Sequence, residues 1–301
     1  MTGRSARPEQ GGESPGRDRL GAQRRAENFP VALRVLPAGL RRDLVALYEV
    51  ARVIDDLGDE ADGDRLAQLD AFAADLATIW QGGTPREPVL RRLAPTVRAH
   101  HLAQEPFDNL IEANRWDQKI TSYQTYQDLL AYCALSAEPV GRIVLAIFHA
   151  AGSGGAGSGA VASGAAGAEA VTRSDRVCTA LQIIEHCQDV AEDRRAGRVY
   201  LPREDMRRYG VTEADLDAPA ASPGLRRLIE FEADRAGALL AAGAPLVRSL
   251  HGWAKLAVGG YVAGGRAAID GLRRVGWDVL SRPPGVRRID VLRHLAPLVW
   301  R

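Results

Sequence analysis

Between Leu40 and Val299 apolar residues recur three and four positions apart through most of the chain, and runs that alternate apolar with polar residues over a strand's length are nearly absent. A period near 3.6 residues places one apolar stripe on each helix and supplies no two-faced strands for a sheet, so this pattern restricts the chain to an all-α fold. The expected helices are Leu40–Asp59, Arg65–Trp80, Val89–Ala103, Phe107–Asn114, Tyr123–Ala150, Ala170–Ala196, Leu225–Ala242, Pro245–Val279 with a break, and Val286–Val299. Gly82–Gly83–Thr84–Pro85, Gly210 and Pro283–Pro284 stand where helices should stop. With 301 residues, 46% of them hydrophobic, the chain can bury one large core.

Residues 1–25, rich in Gly, Pro, Arg and Glu, read as a disordered tail, and residues 26–301 as a single domain. The tail has no apolar stretch of the kind a secretory leader needs. Ala151–Ala170 is Gly/Ala/Ser low complexity and is expected to be a flexible loop between two core helices. It contains Gly152-x-Gly154-x-x-Gly157, but a dinucleotide turn must follow a strand and open a helix, and here a helix precedes it. The most apolar long stretch identified, Gly252–Ile269, is interrupted by Lys255 and Arg266, so no transmembrane helix is expected. A net charge of +1 gives no global attraction to nucleic acid or to an anionic membrane. Cys133, Cys178 and Cys187 have neither metal-ligand nor disulfide spacing and suit reduced thiols in a cytoplasmic protein.

Two acidic segments carry the chemistry. In the first, Asp55, Asp56, Asp59 and Glu60 end a helix whose apolar positions include Leu44, Leu47, Val50 and Ile54. In the second, Gln182, Glu185, His186, Asp189, Asp193 and Ala196 fall in one narrow stripe at about 100° per residue. The rest of that circumference is apolar (Leu181, Ile183, Ile184, Cys187, Val190), as on a buried helix, so the polar stripe must line a cavity or meet a partner. Taken singly, each acidic run reads as a solvated face. Taken together, inward carboxylates about 6 Å apart would repel by roughly 3 kcal/mol at an effective dielectric near 20, a cost that a bound divalent cation removes. An all-oxygen donor set without clustered His or Cys selects a hard cation, and magnesium is the natural one, shared with a phosphate-bearing substrate. Arg194, Arg195 and Arg198 follow at once and are expected to contact that phosphate. Two acidic helices and an arginine cluster make a site suited to ionising a diphosphate.

These residues resemble the trans-isoprenoid head-to-head synthases, the squalene, phytoene and presqualene diphosphate synthases. The motifs stand here as Asp55-Asp56-Leu57-Gly58-Asp59-Glu60, as the tyrosine segment "YCALSAEPVGRIVL" (Tyr132–Leu145), and as Asp189-Val190-Ala191-Glu192-Asp193 followed by "RRAGRVYLP". Three matches in the right order, spanning Glu27 to the last residue, are far more specific than any one of them. Within the family, "ENFPVALRVLP" (Glu27–Pro37) and the second motif look most like the bacterial hopanoid-pathway hydroxysqualene synthases.

The resemblance implies an isoprenoid-synthase helical bundle around a central cavity, with Mg2+ as cofactor. It implies conversion of presqualene diphosphate and water to hydroxysqualene and diphosphate, the cation rearranging in an apolar tunnel. It also implies peripheral membrane association and upstream and downstream enzymes of the hopanoid pathway as partners. By position, Asp55, Asp59, Asp189 and Asp193 resemble the metal ligands. Tyr48, Arg52, Gln182, Arg198 and Tyr200 resemble the diphosphate-binding residues, and Tyr132 the tyrosine beside the reacting carbons. Two positions depart from the family pattern. Glu185 stands where asparagine is usual and is a further candidate metal ligand; His186 stands where an aromatic residue is usual, as a base or as a hydrogen-bonded wall residue.

Phytoene or presqualene diphosphate synthase activity, which condenses two prenyl diphosphates, would use the same ions. A class I terpene cyclase fits the tyrosine segment and "RVYLP" poorly. A di-iron bundle needs Glu-x-x-His pairs, and the residue three before each histidine is Val97, Arg98, Ala146, Ile183, Arg248 or Val291. A non-enzymatic scaffold would need both acidic stripes to face solvent.

Overall fold

The computed structural model describes residues 36–152 and 165–300. Its contacts divide the chain into Met1–Leu36 and Pro37–Arg301, and the architecture below is that of the second unit. The tail expected over 1–25, residues 27–35 of the "ENFPVALRVLP" segment, and residues 153–164 of the Gly/Ala/Ser stretch lie outside the described residues.

The described part of this unit is helical throughout: α1 (Ala38–Asp59), α2 (Arg65–Ala77), α3 (Pro88–His100), α4 (Glu105–Asp117), α5 (Tyr126–Ser136), α6 (Glu138–Gly152), α7 (Ala165–Gln188), α8 (Val190–Arg195), α9 (Arg203–Tyr209), α10 (Glu213–Leu216), α11 (Pro223–Gly243), α12 (Leu246–Ser249), α13 (Gly252–Arg274) and α14 (Arg288–Val299). Among the described residues there is no strand, only an isolated parallel bridge between Ser122 and Val199.

The structure departs from the periodicity in instructive places. Tyr123–Ala150 is two helices, α5 and α6, parted at Ala137, because Pro139 has no N–H to continue the ladder. Helix α7 begins at Ala165, so Ala165–Ala170 is helical rather than loop; alanine's helix preference outweighs the low-complexity reading there. The stripe expected to run unbroken to Ala196 is interrupted at Asp189, whose backbone (φ −102°, ψ 16°) lies in the sparsely populated bridge region. The stretch Tyr126–His149, more apolar than Gly252–Ile269, has the length and mean hydropathy (1.5) of a membrane span. It is divided at Ala137, half of it is buried inside the protein, and it packs against α4 and α7 as part of the core.

Helix α7 is the axis of this core. Its Val177, Ala180, Ile183, Ile184 and Cys187 share one buried cluster with Leu225, Leu228, Ile229, Ala233, Ala236 and Leu240 of α11. Each Val, Leu and Ile among them contributes about 1.5–3 kcal/mol on burial. The two helices close tightly at Gly243, where a Cβ would sit 2.7 Å from the Arg173 carbonyl oxygen. On the far side, Asp43 of α1 bonds Thr96 Oγ1 (3.1 Å) and His100 Nε2 (2.9 Å) of α3, and the Asp75 carboxylate accepts the N–H groups of Arg86 and Glu87 at the start of α3.

One core acid opposes folding at neutral pH. Glu232 of α11 is 1% exposed, and its Oε2 has no hydrogen-bond partner among the described residues. Burial, partly offset by Arg235 and reinforced by Asp205, raises its carboxyl to about 8. A folded-state pKa above the unfolded one means stability is fully present below about 4.5 and declines as pH rises towards 8. Glu232→Gln should therefore leave stability near pH 4.5 little changed and raise it progressively towards pH 8, as read by urea unfolding across that range. A parent-to-variant difference independent of pH would contradict this account.

Candidate active site

Backbone pairing brings distant parts of the chain to one place. Val199 N–H donates to the Thr121 carbonyl (2.8 Å), Arg203 N–H to Tyr123 (2.9 Å) and Glu204 N–H to Gln124 (3.0 Å). The segment leaving α4 thus lies beside the segment leaving α8, and Tyr123, Arg198 and Tyr200 meet the C-terminal end of α4.

That end carries Asp117, which accepts from the Tyr132 hydroxyl at 2.8 Å and from the Tyr200 hydroxyl at 2.9 Å. Around it the rings of Tyr123, Tyr132 and Tyr200 stand 5.3–5.8 Å apart, and His186 stacks on Tyr200 at 3.9 Å and 12°. Burial raises Asp117 above the ordinary carboxylate range, with the two tyrosine bonds and Arg198 offsetting only part of the effect. Burial, followed by the neighbouring Asp117 or Tyr200, pushes the Tyr132 and Tyr200 phenols up as well, so both are neutral at physiological pH.

Arg198 ties the two acidic segments together. Its backbone N–H donates to the Asp193 carbonyl (2.9 Å), and its Nη1 donates to Asp59 Oδ1 (2.7 Å). Its Nε is buried and makes no hydrogen bond among the described residues, leaving a cationic donor for an anion to take. In the second segment burial, followed by the charges of Glu185, Asp193 and Glu192, raises the Asp189 carboxyl to about 7 against an opposing effect of His186. In the first, Asp55 accepts from Asn114 Nδ2 at 3.2 Å. Gly58 makes that contact available, because a Cβ there would run into Asn114 Oδ1.

The structure gathers Asp59, Gln182, Asp193, Arg198, Tyr132 and Tyr200, with Gln182 3.4 Å and Asp193 3.8 Å from the ring nitrogens of His186. His186 is buried and forms part of the wall. Asp55 and Glu185 lie at the exposed rim, and Tyr48 is half-buried on α1. Arg52, on α1 and half exposed, pairs with Asp56 at 3.8 Å. The expected arginine cluster is corrected: Arg194 is turned away to Asp217 (2.9 Å) and Glu213 (2.6 Å), Arg195 is exposed, and Arg198 is the member directed inward. Among the described residues no three His, Cys, Asp or Glu side chains converge closely enough to hold a metal, in keeping with the commitment of Asp59 to Arg198. The cavity beside the site, between His186, Asp193, Arg198, Tyr200 and Leu216, measures about 10 Å³. That is room for about one water.

Asp117, Asn114 and Tyr123 escaped the sequence reading. Asp117 is a single acid with no partner at helical spacing, and its bonds reach 15 and 83 residues along the chain. The available signal was its position at the end of a helix just ahead of Tyr123, Tyr126 and Tyr132.

Residues 22–291 match the model of the squalene/phytoene synthase family. Hydroxysqualene synthase of Zymomonas mobilis subsp. mobilis is 33% identical over 75% of this chain and 71% of its own. Phytoene synthase of Rhodobacter capsulatus is 31% identical over 74% of this chain and 62% of its own. The crystal structure of squalene synthase HpnC from Alicyclobacillus acidocaldarius superposes with a TM-score of 0.73 at 38% identity, covering 87% of this chain and 95% of that one. With a matching all-helical fold and the ordered motifs in place, the chain belongs to the squalene/phytoene synthase family of head-to-head prenyl synthases.

Proposed function

We propose that this enzyme converts presqualene diphosphate and water to hydroxysqualene and diphosphate. The observation that carries this reading is identity: of the relatives above, the squalene synthase HpnC and the hydroxysqualene synthase share more with the chain than the phytoene synthase does. Phytoene synthase-like condensation of two prenyl diphosphates is the second reading, favoured by the small margin between 33% and 31% identity.

Magnesium fits the donor set. Asp55, Asp59, Asp189 and Asp193, with Glu185 beside Asp189, offer oxygen alone, and the Asp189 carboxyl, raised by burial and by the charges of Glu185, Asp193 and Glu192, ionises more readily beside a cation. Bound there with the substrate, the metal would draw charge from the diphosphate oxygens and ease departure of the leaving group.

The chain's own residues do the rest. Arg198, with its uncommitted Nε–H, takes the diphosphate, and Tyr48, Arg52 and Gln182 are assigned to the same group. The carbon–oxygen bond breaks with its electron pair leaving on diphosphate, and the guanidinium stabilises that developing charge. Tyr132 and Tyr200 then present neutral aromatic faces to the carbocation. Because Asp117 accepts both hydroxyl protons without removing them, neither ring becomes a phenolate that could trap the cation. Water supplies the new oxygen, giving up one proton as the alcohol forms.

The test is to incubate the purified enzyme and magnesium separately with farnesyl, geranylgeranyl and presqualene diphosphates and identify products by mass spectrometry. Hydroxysqualene from presqualene diphosphate is expected; phytoene from the C20 substrate would replace this reading with the second.

A further inference from the structure

Helix α14 has no buried residue. Its inner side is fixed to α13: Arg274 pairs with Asp290, His294 Nε2 lies 2.7 Å from Asp270 Oδ2, and a Cβ on Gly259 would contact Leu295 and Val299. Its outer side is a second apolar stripe. Ile289 (67% exposed), Leu292 (60%) and Trp300 (84%) recur at helical spacing, with Val286 (38%) just ahead. The contacts make α13 and α14 antiparallel, so Trp253 (40% exposed), near the start of α13, lies at the same end of the pair as Trp300. These residues are the exposed large hydrophobics among the described residues, and they gather on one element pair rather than scatter.

Charge identifies what covers this face. From Ser281 to Trp300 four arginines (Arg282, Arg287, Arg288 and Arg293) stand against one acid, Asp290, a local net charge of +3 in a chain whose total is +1. Among the described residues Arg282, Arg287 and Arg288 form no salt bridge, and Arg293 reaches Asp270 only at 3.5 Å while 69% exposed. Beside them Arg273, Arg274 and Arg293 line an open groove together with Asp270 and Asp290, the acids they pair with, so the unpaired positive charge of this face rests on Arg282, Arg287 and Arg288. A second copy is a poor occupant. Twelve residues of helix offer a strip about 18 Å long and 10 Å wide, far below the ~800 Å² per partner of a stable interface, and a two-fold contact would set arginine against arginine. Apolar residues that enter the acyl boundary, tryptophans at the headgroup level and a rim of arginines describe a helix lying on an anionic bilayer.

We propose that the outer face of α14, with Trp253, docks this enzyme on anionic phospholipid surfaces. This holds whichever prenyl substrate the site takes.

The test is co-sedimentation of the full chain with vesicles of phosphatidylglycerol and phosphatidylcholine in equal parts, compared with phosphatidylcholine alone, following tryptophan emission in parallel. Binding to the anionic vesicles with a blue shift is expected. It should weaken roughly tenfold or more in Ile289→Glu/Leu292→Glu and, separately, in Arg287→Glu/Arg288→Glu, with the circular dichroism melt unchanged in both. Since all four positions are exposed, these variants are expected to fold; Leu292→Ser alone, with a smaller loss, serves as the milder control. Equal binding of parent and variants would overturn the proposal, as would equal binding to the two vesicle types. A concentration-dependent dimer abolished by Ile289→Glu/Leu292→Glu would also overturn it, assigning the face to a second copy.

Discussion

Asp189→Asn is expected to reduce turnover about a thousandfold or more while leaving the helical fold and melting temperature intact. The residue sits where α7 gives way to α8, with the charges of Glu185, Asp193 and Glu192 around it. An amide of the same shape removes one negative donor from the proposed metal and diphosphate site, where a developing charge is stabilised by several kcal/mol. It removes no bond that the fold needs, and it relieves repulsion among the carboxylates. Steady-state kinetics over a magnesium titration, beside a thermal melt, checks both halves. Unchanged turnover at saturating magnesium would take Asp189 out of the metal site, and an unfolded variant would show that its role is structural.

Asp117→Ala is expected to lower kcat by about a hundredfold with little change in KM, and Asp117→Asn by a smaller factor. Asp117 does not touch the substrate in the proposed mechanism; it positions two residues that do. Its carboxylate holds the Tyr132 and Tyr200 hydroxyls at 2.8 and 2.9 Å, and alanine would leave both buried hydroxyls without an acceptor, at about 1–3 kcal/mol each. Asparagine keeps one acceptor oxygen and so retains part of the arrangement. The discriminating readout is the product profile. Rings no longer held against the cation allow water to reach it early, so alcohols other than the main product should rise in the alanine variant. Lowered stability with an unaltered product ratio would reduce Asp117 to a packing role.

The helices and the two acidic segments were legible in the sequence because both signals are local. Leu44, Leu47, Val50 and Ile54 fall on one side of α1 and are all buried, as their spacing requires. The family motifs likewise depend on residues one helical turn apart. What could not be read is what spacing does not encode. Arg194 and Arg198 follow the same motif four residues apart, yet one faces Asp217 and the other Asp59, because α8 ends between them and Gly197 turns the chain with φ +79°. Asp117 meets its tyrosines only after α4, α5 and the segment that follows α8 have docked. The break at Pro139 was visible in principle, but the apolar run around it was strong enough to read as one helix.

The Asp59–Arg198 bridge spans 139 residues and the Tyr200–Asp117 bond spans 83, whereas the helices are stitched by bonds four residues apart. Chain closure over such separations costs entropy that no local element can return until the core between them has formed. The proposed catalytic centre is therefore expected to assemble late in folding: a chain can hold nearly all of its helices before Asp59, Asp117, Arg198 and Tyr200 have met.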